Sequence, residues 1–465
     1  MDLRRKAYEN LLQWKARPHK PLIVKGLRQV GKSYLVDKFT REHYEKVALF
    51  DFRHNDEIRS VFNGNLDVDT IIKNATVYFP AGTFVPGKTV LVFEEITDCS
   101  RARTSLKSFA ADGRYDVICT GSLLGVENFR HKTTEKIPSG NEEFLEMKPL
   151  DFEEFLWANG VDESAIEVVR QQTRAKKELP ASFAIYFQEM IRRYMVVGGL
   201  PEVVDSFVTH GFDYASAREV LNRLLFDYRN DFGRFVNENG EEEVDYVLQA
   251  KLNRVFDSIP RQLARENGNM KFKYADILKG ARASSYDEAF LWLEKAGLVK
   301  RCYNLKALET PLLANVDEGA FKAFIADMGI LMALFPLSTT QLFLQGKLDS
   351  RKGALYENLA AVLLSHAGIS LTYYGKSEEH LEIDFVMESE EGIVLIEEKS
   401  TNSKMAASRA VMEGKTPYHA SACYKIIPTN FGRGDFFTAI PQYCLPFLLE
   451  EFKDPAELKA NSVSL

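Results

Sequence analysis

Eight consecutive residues, Gly26 to Ser33 (GLRQVGKS), have the types and spacing needed to wrap a polyphosphate. They fit the pattern G-x-x-x-x-G-K-[ST] in full. Gly26 and Gly31 let the backbone turn so that main-chain N–H groups face phosphate oxygens. Leu27, Arg28, Gln29 and Val30 supply the loop between them. Lys32 brings a cation to the β and γ phosphates, and the Ser33 hydroxyl suits Mg²⁺. Tyr34 follows in the first turn of a helical pattern whose positive end adds to the attraction for anions. A chance match in a structural turn is the alternative. The context argues against it, because an apolar strand pattern at 21–25 (PLIVK) precedes the loop and a helical one, Lys32 to Phe39, follows it.

A loop of this kind also needs an acid at the end of a neighbouring strand. LVFEE at 91–95 offers two. The usual form is four apolar residues, then Asp, then Glu; here Glu94 stands at the first acidic position. Glu94 is expected to hold Mg²⁺ through water, with an extra methylene that shifts the ion or weakens its binding. Glu95 is expected to polarise the attacking water. Thr120, in CTGS on the next strand, either orients the γ-phosphate or the water, or bonds only to backbone in a turn.

The elements that must position these groups alternate. A helix is predicted near Leu3 to Trp14, and strands at 21–25, 46–52, 89–96, 115–120 and 142–148, with helices between them. That alternation implies an α/β domain with a mainly parallel sheet. Residues 151–235 read as entirely helical. Residues 273–305 read as a helix-turn-helix followed by a β wing. The stretch beyond about 350 returns to mixed α/β.

At 465 residues the chain is too long for one core, so several domains are expected. The 59 basic and 66 acidic residues exclude a chain that is basic throughout, so nucleic-acid contact would need a local patch. Five cysteines, none in a CxxC arrangement, suggest free thiols in a reducing cytoplasm. No apolar run reaches the ~18 residues of a membrane span, and the N-terminus does not read as a secretory signal. The histidines show no metal-ligand spacing.

GLRQVGKS, LVFEEIT, ICTGSLLG and IPSGNEEFLEMKPLDFEEFL together resemble the prokaryotic AAA-superfamily ATPases that carry a C-terminal domain of unknown function. GGLPEVV at 198–204, FDSIPRQL at 256–263 and FKAFIADMGIL at 321–331 extend the resemblance over nearly the whole chain. It implies an ATP–Mg²⁺ enzyme. In related ATPases a G-x-P element of a helical lid lies near the adenine. Gly199 and Pro201 match it; the alternative is that GGLP only caps a helix. Asn141 stands where the family usually has an Arg, so a transition-state arginine would come from elsewhere; Arg130, Arg192 and Arg193 are candidates.

The C-terminal region carries a second constellation. Glu357 lies in a helical pattern, Asp384 in the strand LEIDFVM, and Glu397 and Lys399 in the strand IVLIEEKS. Period two puts Glu397 and Lys399 on one face. The set resembles the restriction-endonuclease-like PD-(D/E)XK core, which implies Mg²⁺ on the acids and a lysine that polarises the nucleophile. An inactive module, in which the acids neutralise a lysine, is the alternative. The predicted recognition helix after Ala281 mixes Arg282 and Lys295 with Asp287, Glu288 and Glu294, a poor balance for phosphate contact.

The expected architecture is therefore a P-loop core (1–150), a helical lid (151–240), a winged-helix-like segment (241–345) and a nuclease-like α/β domain (346–465). The expected function is an ATP-driven switch in the cytoplasm, with a DNA or protein partner and no membrane. A nucleotide-dependent scaffold and an ATP-gated nuclease are the alternatives. The sequence gives no oligomeric state.

Overall fold

The computed structural model describes residues 1–122, 140–236, 242–264, 271–348, 352–376, 381–399 and 405–452. Its first part is the expected alternation: α1 (Lys6–Lys15), β1 (Leu22–Gly26), α2 (Lys32–His43), β2 (Lys46–Asp51), α3 (Val68–Ala75), β3 (Thr89–Glu94), α4 (Ser100–Asp112), β4 (Asp116–Ser122) and β5 (Glu143–Met147). The five strands pair in parallel in the order β2-β3-β4-β1-β5. Both faces of this sheet are apolar, as a parallel sheet between helical layers requires. Leu22, Val24, Val90 and Val92 pack with Leu35, Val36 and Phe39 of α2. Ile23, Leu91 and Phe93 pack on the other side with Leu106 and Phe109 of α4. The helices that follow β1 and β3, α2 and α4, pack on opposite faces of the sheet. That opens a crevice at the carboxyl ends of these strands, where ligands of such sheets bind.

Five helices follow: α5 (Phe152–Ala158), α6 (Glu163–Ala175), α7 (Ala181–Val197), α8 (Pro201–Thr209) and α9 (Tyr214–Asp231). Local chemistry starts them. Asp151, Asp162 and Asp213 accept hydrogen bonds from first-turn amides, and Pro201 opens α8. A short antiparallel pair, β6 (Arg234–Val236) and β7 (Glu242–Val244), leads to α10 (Tyr246–Leu263). A 3₁₀ turn at Tyr274–Asp276, α11 (Ala283–Lys295) and the antiparallel strands β8 (Val299–Leu305) and β9 (Val316–Ile325) come next. Within 273–305, where two helices and a β wing were expected, there is one 3₁₀ turn, one helix and strand β8, whose antiparallel partner β9 lies beyond 305. Helix α11 buries Tyr286, Phe290, Trp292 and Leu293 in the core.

The remaining elements are α12 (Met328–Leu334), α13 (Leu337–Leu344), α14 (Lys352–His366), β10 (Thr372–Lys376), β11 (Leu381–Ile383), β12 (Phe385–Ser389), β13 (Gly392–Glu398), α15 (Ala406–Met412), β14 (Ala422–Ile427), β15 (Gly432–Arg433), β16 (Thr438–Pro441) and α16 (Leu445–Leu448). They form a mixed five-stranded sheet, β12-β13-β14-β16-β15. Strand β10 pairs in parallel with β8, giving a second sheet β11-β10-β8-β9. The hairpin thus shares a sheet with chain beyond residue 346. All five cysteines are buried and unpaired. No described helix is long and apolar enough to cross a membrane.

Candidate functional site

The loop from Gly26 to Lys32 sits at the carboxyl end of β1, in the crevice. A Cβ on Gly26 would fall 2.2 Å from the Met147 carbonyl oxygen of β5, so only glycine fits there. Gln29 (φ 63°) and Gly31 (φ 91°) take the left-handed conformations that turn the loop back onto α2. Lys32 is buried, and its Nζ donates to the carbonyls of Gly26 (3.2 Å) and Leu27 (3.0 Å). Burial pulls its ammonium down to about 8; Glu95 opposes the fall, while Arg28 and Arg53 add to it by repulsion. This lysine is short of negative charge, which a phosphate would supply.

Ser33, Glu94 and Thr120 line one cavity of about 270 Å³ with Tyr34 and Val92. Strand β3 ends at Glu94, two residues earlier than predicted, because Glu95 turns into the left-handed region (φ 49°). The Glu95 N–H donates to Thr120 Oγ1 (3.1 Å), so Thr120 fixes the turn that aims this carboxylate. Glu95 Oε2 is buried and accepts no hydrogen bond among the described residues. A hydroxyl and carboxylates around one cavity are the hard oxygen donors that Mg²⁺ takes, so the residues present fit the ion.

Three further groups shape this site, and the sequence did not mark them. Arg53, just after β2, holds its guanidinium 3.7 Å from Glu95 Oε2 and 3.5 Å from Asp98. Arg5 is buried and donates to the carbonyls of Val30 (3.2 Å) and Lys148 (2.6 Å), bracing the loop from the N-terminal side. Asp327 reaches the lid from the far side. Its Oδ2 accepts from the Gly199 N–H at 2.7 Å, while Oδ1 accepts from the Ile330 N–H at 3.0 Å.

The Gly198–Pro201 element lies between the loop and Asp327. A Cβ on Gly199 would fall 2.2 Å from the Leu150 carbonyl oxygen, and one on Gly198 2.3 Å from Asp327 Oδ1. Pro201 Cγ approaches within 3.6 Å of the Cβ position at Gly31. Gly199 therefore spends its N–H on Asp327 and its carbonyl on the Leu150 N–H (2.6 Å), and Pro201 makes the contact with the phosphate loop. The lid also grips the loop through α9. Arg28 pairs with Asp231, Gln29 donates to Asp227 (3.2 Å) and Tyr228 donates to the Arg28 carbonyl (3.0 Å).

Of the arginine candidates, Arg192 and Arg193 pair with Glu189 on their own helix. Arg130 lies outside the described residues. Arg28 and Arg53 stand near Lys32 instead.

The C-terminal constellation also assembles. Asp384 Oδ2 accepts from Lys399 Nζ (2.7 Å) and from the Glu398 N–H (2.9 Å), and Lys399 Nζ lies 2.9 Å from Glu397 Oε2. Glu397 Oε1 accepts from Ser408 Oγ. Glu357 accepts from Lys322 Nζ at 2.8 Å. Glu382, which the sequence reading passed over, joins Glu357 and Asp384, their carboxylate oxygens all within 4.8 Å of one another. The acids that a nuclease would use for Mg²⁺ are thus already bridged by two ammonium groups, so this set does not fit the ion as the first one does.

Residues 18–156 match the family model described as an AAA domain. Residues 188–341 and 352–445 match two families described only as domains of unknown function. No curated protein sequence matches the chain. Among solved structures, the chain is similar to a Walker-type ATPase of Pyrococcus abyssi (16% identity, 71% of this chain and 95% of that one, TM-score 0.40). It is similar also to the ORC2 protein of Aeropyrum pernix in its ADPNP–ADP complexes (12% identity, 74% and 92%, TM-score 0.34). A third is the RuvB Holliday junction branch migration motor of Thermotoga maritima (12% identity, 73% and 95%, TM-score 0.26). The N-terminal match covers the sheet that carries the glycine loop: residues 18–156 are similar to the AAA domain family.

Proposed function

We propose that the chain binds ATP with Mg²⁺, hydrolyses it slowly, and uses the cycle as a switch between the P-loop domain and the modules that follow. One observation carries this reading: a buried lysine short of negative charge sits in a glycine loop beside a cavity lined by Ser33, Glu94 and Thr120.

In this reading the amides of Leu27 to Lys32 and the Lys32 ammonium hold the phosphates. Ser33 and Glu94 hold Mg²⁺, which neutralises the charge that builds on the phosphates. Glu95 accepts the proton of the attacking water, aimed by its bond to Thr120. Pro201 and the lid bound the nucleotide on the side of Gly31. Gly199 ties the same element to Asp327, so the site and the later modules share one hydrogen-bonded junction. A switch needs such a junction, because the occupied and empty states must differ in contacts that reach the output. The cell compartment fits a cytoplasm, and the output is a DNA or protein partner.

The test is steady-state ATP turnover, with and without DNA, by the wild type, Lys32→Ala and Glu95→Gln. The enzyme reading expects turnover in the wild type alone. Equal, slow turnover by all three would leave a nucleotide-dependent scaffold.

A further inference from the structure

Lys322 lies on β9 opposite Cys302 of β8, its side chain only 1% exposed. Its Nζ is 2.8 Å from Glu357 Oε1 on α14, pairs with Glu382 of β11, and stands 4.8 Å from the centre of the Tyr373 ring on β10. Glu357, Glu382 and Asp384 form an oxygen cluster of the size and type that divalent ions take. The ammonium of Lys322 is the cation that this cluster already holds.

The neighbouring acids are compensated in the same way. Lys399 bridges Asp384 and Glu397, and the second oxygen of Glu397 accepts from Ser408. Four carboxylates thus interleave with two ammonium groups. A metal ion entering the trio would have to expel Lys322 into an apolar interior, where an unpaired ammonium is strongly disfavoured.

We propose that Lys322 is a tethered cation that takes the place of a divalent metal among Glu357, Glu382 and Asp384, so that this module binds no catalytic metal and cleaves no phosphodiester. The cluster then has a structural task. Lys322 belongs to the hairpin after α11, whereas its acids belong to α14 and the β11–β12 corner. The ion network clamps these segments together. Strand β9 runs on to Asp327, which holds Gly199 of the lid. The clamp thus anchors the strand through which the nucleotide site meets the later modules.

The test counts Mn²⁺ bound to the full chain without nucleotide, by electron paramagnetic resonance. The wild type and Asp384→Asn are expected to bind equal amounts, and neither to nick plasmid DNA with Mn²⁺. Lys322→Met is expected to gain one equivalent per chain, lost again in Lys322→Met with Asp384→Asn. An equivalent of Mn²⁺ bound by the wild type and lost in Asp384→Asn overturns the proposal, and so does a folded Lys322→Met that gains none. Should Lys322→Met not fold, the comparison of the wild type with Asp384→Asn and with the half-exposed Glu382→Gln still decides.

Discussion

The two charged centres of this molecule are built on opposite plans. At the phosphate loop a buried lysine faces carbonyl oxygens and two arginines, and the nearest acid, Glu95, is only a partial counterweight. In the C-terminal cluster Lys322 and Lys399 each have carboxylates within hydrogen-bond reach, and Asp384 and Glu397 share Lys399. The first centre is incomplete without an anion. The second is complete as it stands. Residue types alone do not separate them, since both hold lysine, glutamate and a hydroxyl. What differs is whether the buried lysine already has carboxylate partners inside the protein.

Breaking the internally paired centre should have the largest effect. Lys322→Met leaves Glu357 and Glu382 without their cation and is expected to cost about 3–5 kcal/mol of stability, the range for stranding one partner of a buried pair. Chemical denaturation checks this; a loss under ~1 kcal/mol, the scale of an exposed pair, would mean that the cluster is not a clamp.

The open centre should respond in function and not in fold. Glu95→Gln and Lys32→Ala are each expected to lower turnover roughly 10²–10³-fold, the scale for a group aimed at a reacting phosphate or water. Glu95→Gln should keep nucleotide affinity, and Lys32→Ala should lose it. Unchanged melting of both variants would sharpen the contrast with Lys322→Met.

The junction between the two plans gives the next effect. Gly199→Ala forces a methyl group against the Leu150 carbonyl and is expected to destabilise by about 1–3 kcal/mol. It should also weaken nucleotide binding, because Pro201 moves with it. A variant that melts and binds like the wild type would remove Gly199 from the switch.

The smallest effect is a pH dependence. Phosphate binds best to protonated Lys32, whose ammonium titrates at about 8 in the empty site. Affinity should be flat below that value and fall above it, approaching roughly tenfold per pH unit. The Lys322 cluster offers no such dependence on nucleotide.

The phosphate loop was legible because its logic is local. Gly26, Gly31, Lys32 and Ser33 lie within eight residues, and a strand and a helix flank them. The sheet was legible for the same reason, as each apolar run is bounded by a turn. Its boundaries slipped where polar residues continue an element. Helix α2 runs on to His43, past Phe39, and Thr40 bonds back to the Val36 carbonyl. Arg53, Asp327 and Lys322 were not legible as site residues, because their partners are distant in sequence. Asp327 meets Gly199 across 128 residues, and Lys322 meets Glu357 across 35. Asp327 could be read only as a helix cap, which it also is. Glu382 did leave a signal. It lies two residues before Asp384 in LEIDF, so a strand period already puts both acids on one face.

A titration with ATP and Mg²⁺, read by calorimetry on the wild type and Lys32→Ala, tests the contrast at its source. The account predicts saturable binding of about one nucleotide per wild-type chain and none to the variant. Binding that is equal in the two proteins, or absent from both at millimolar nucleotide, would contradict it.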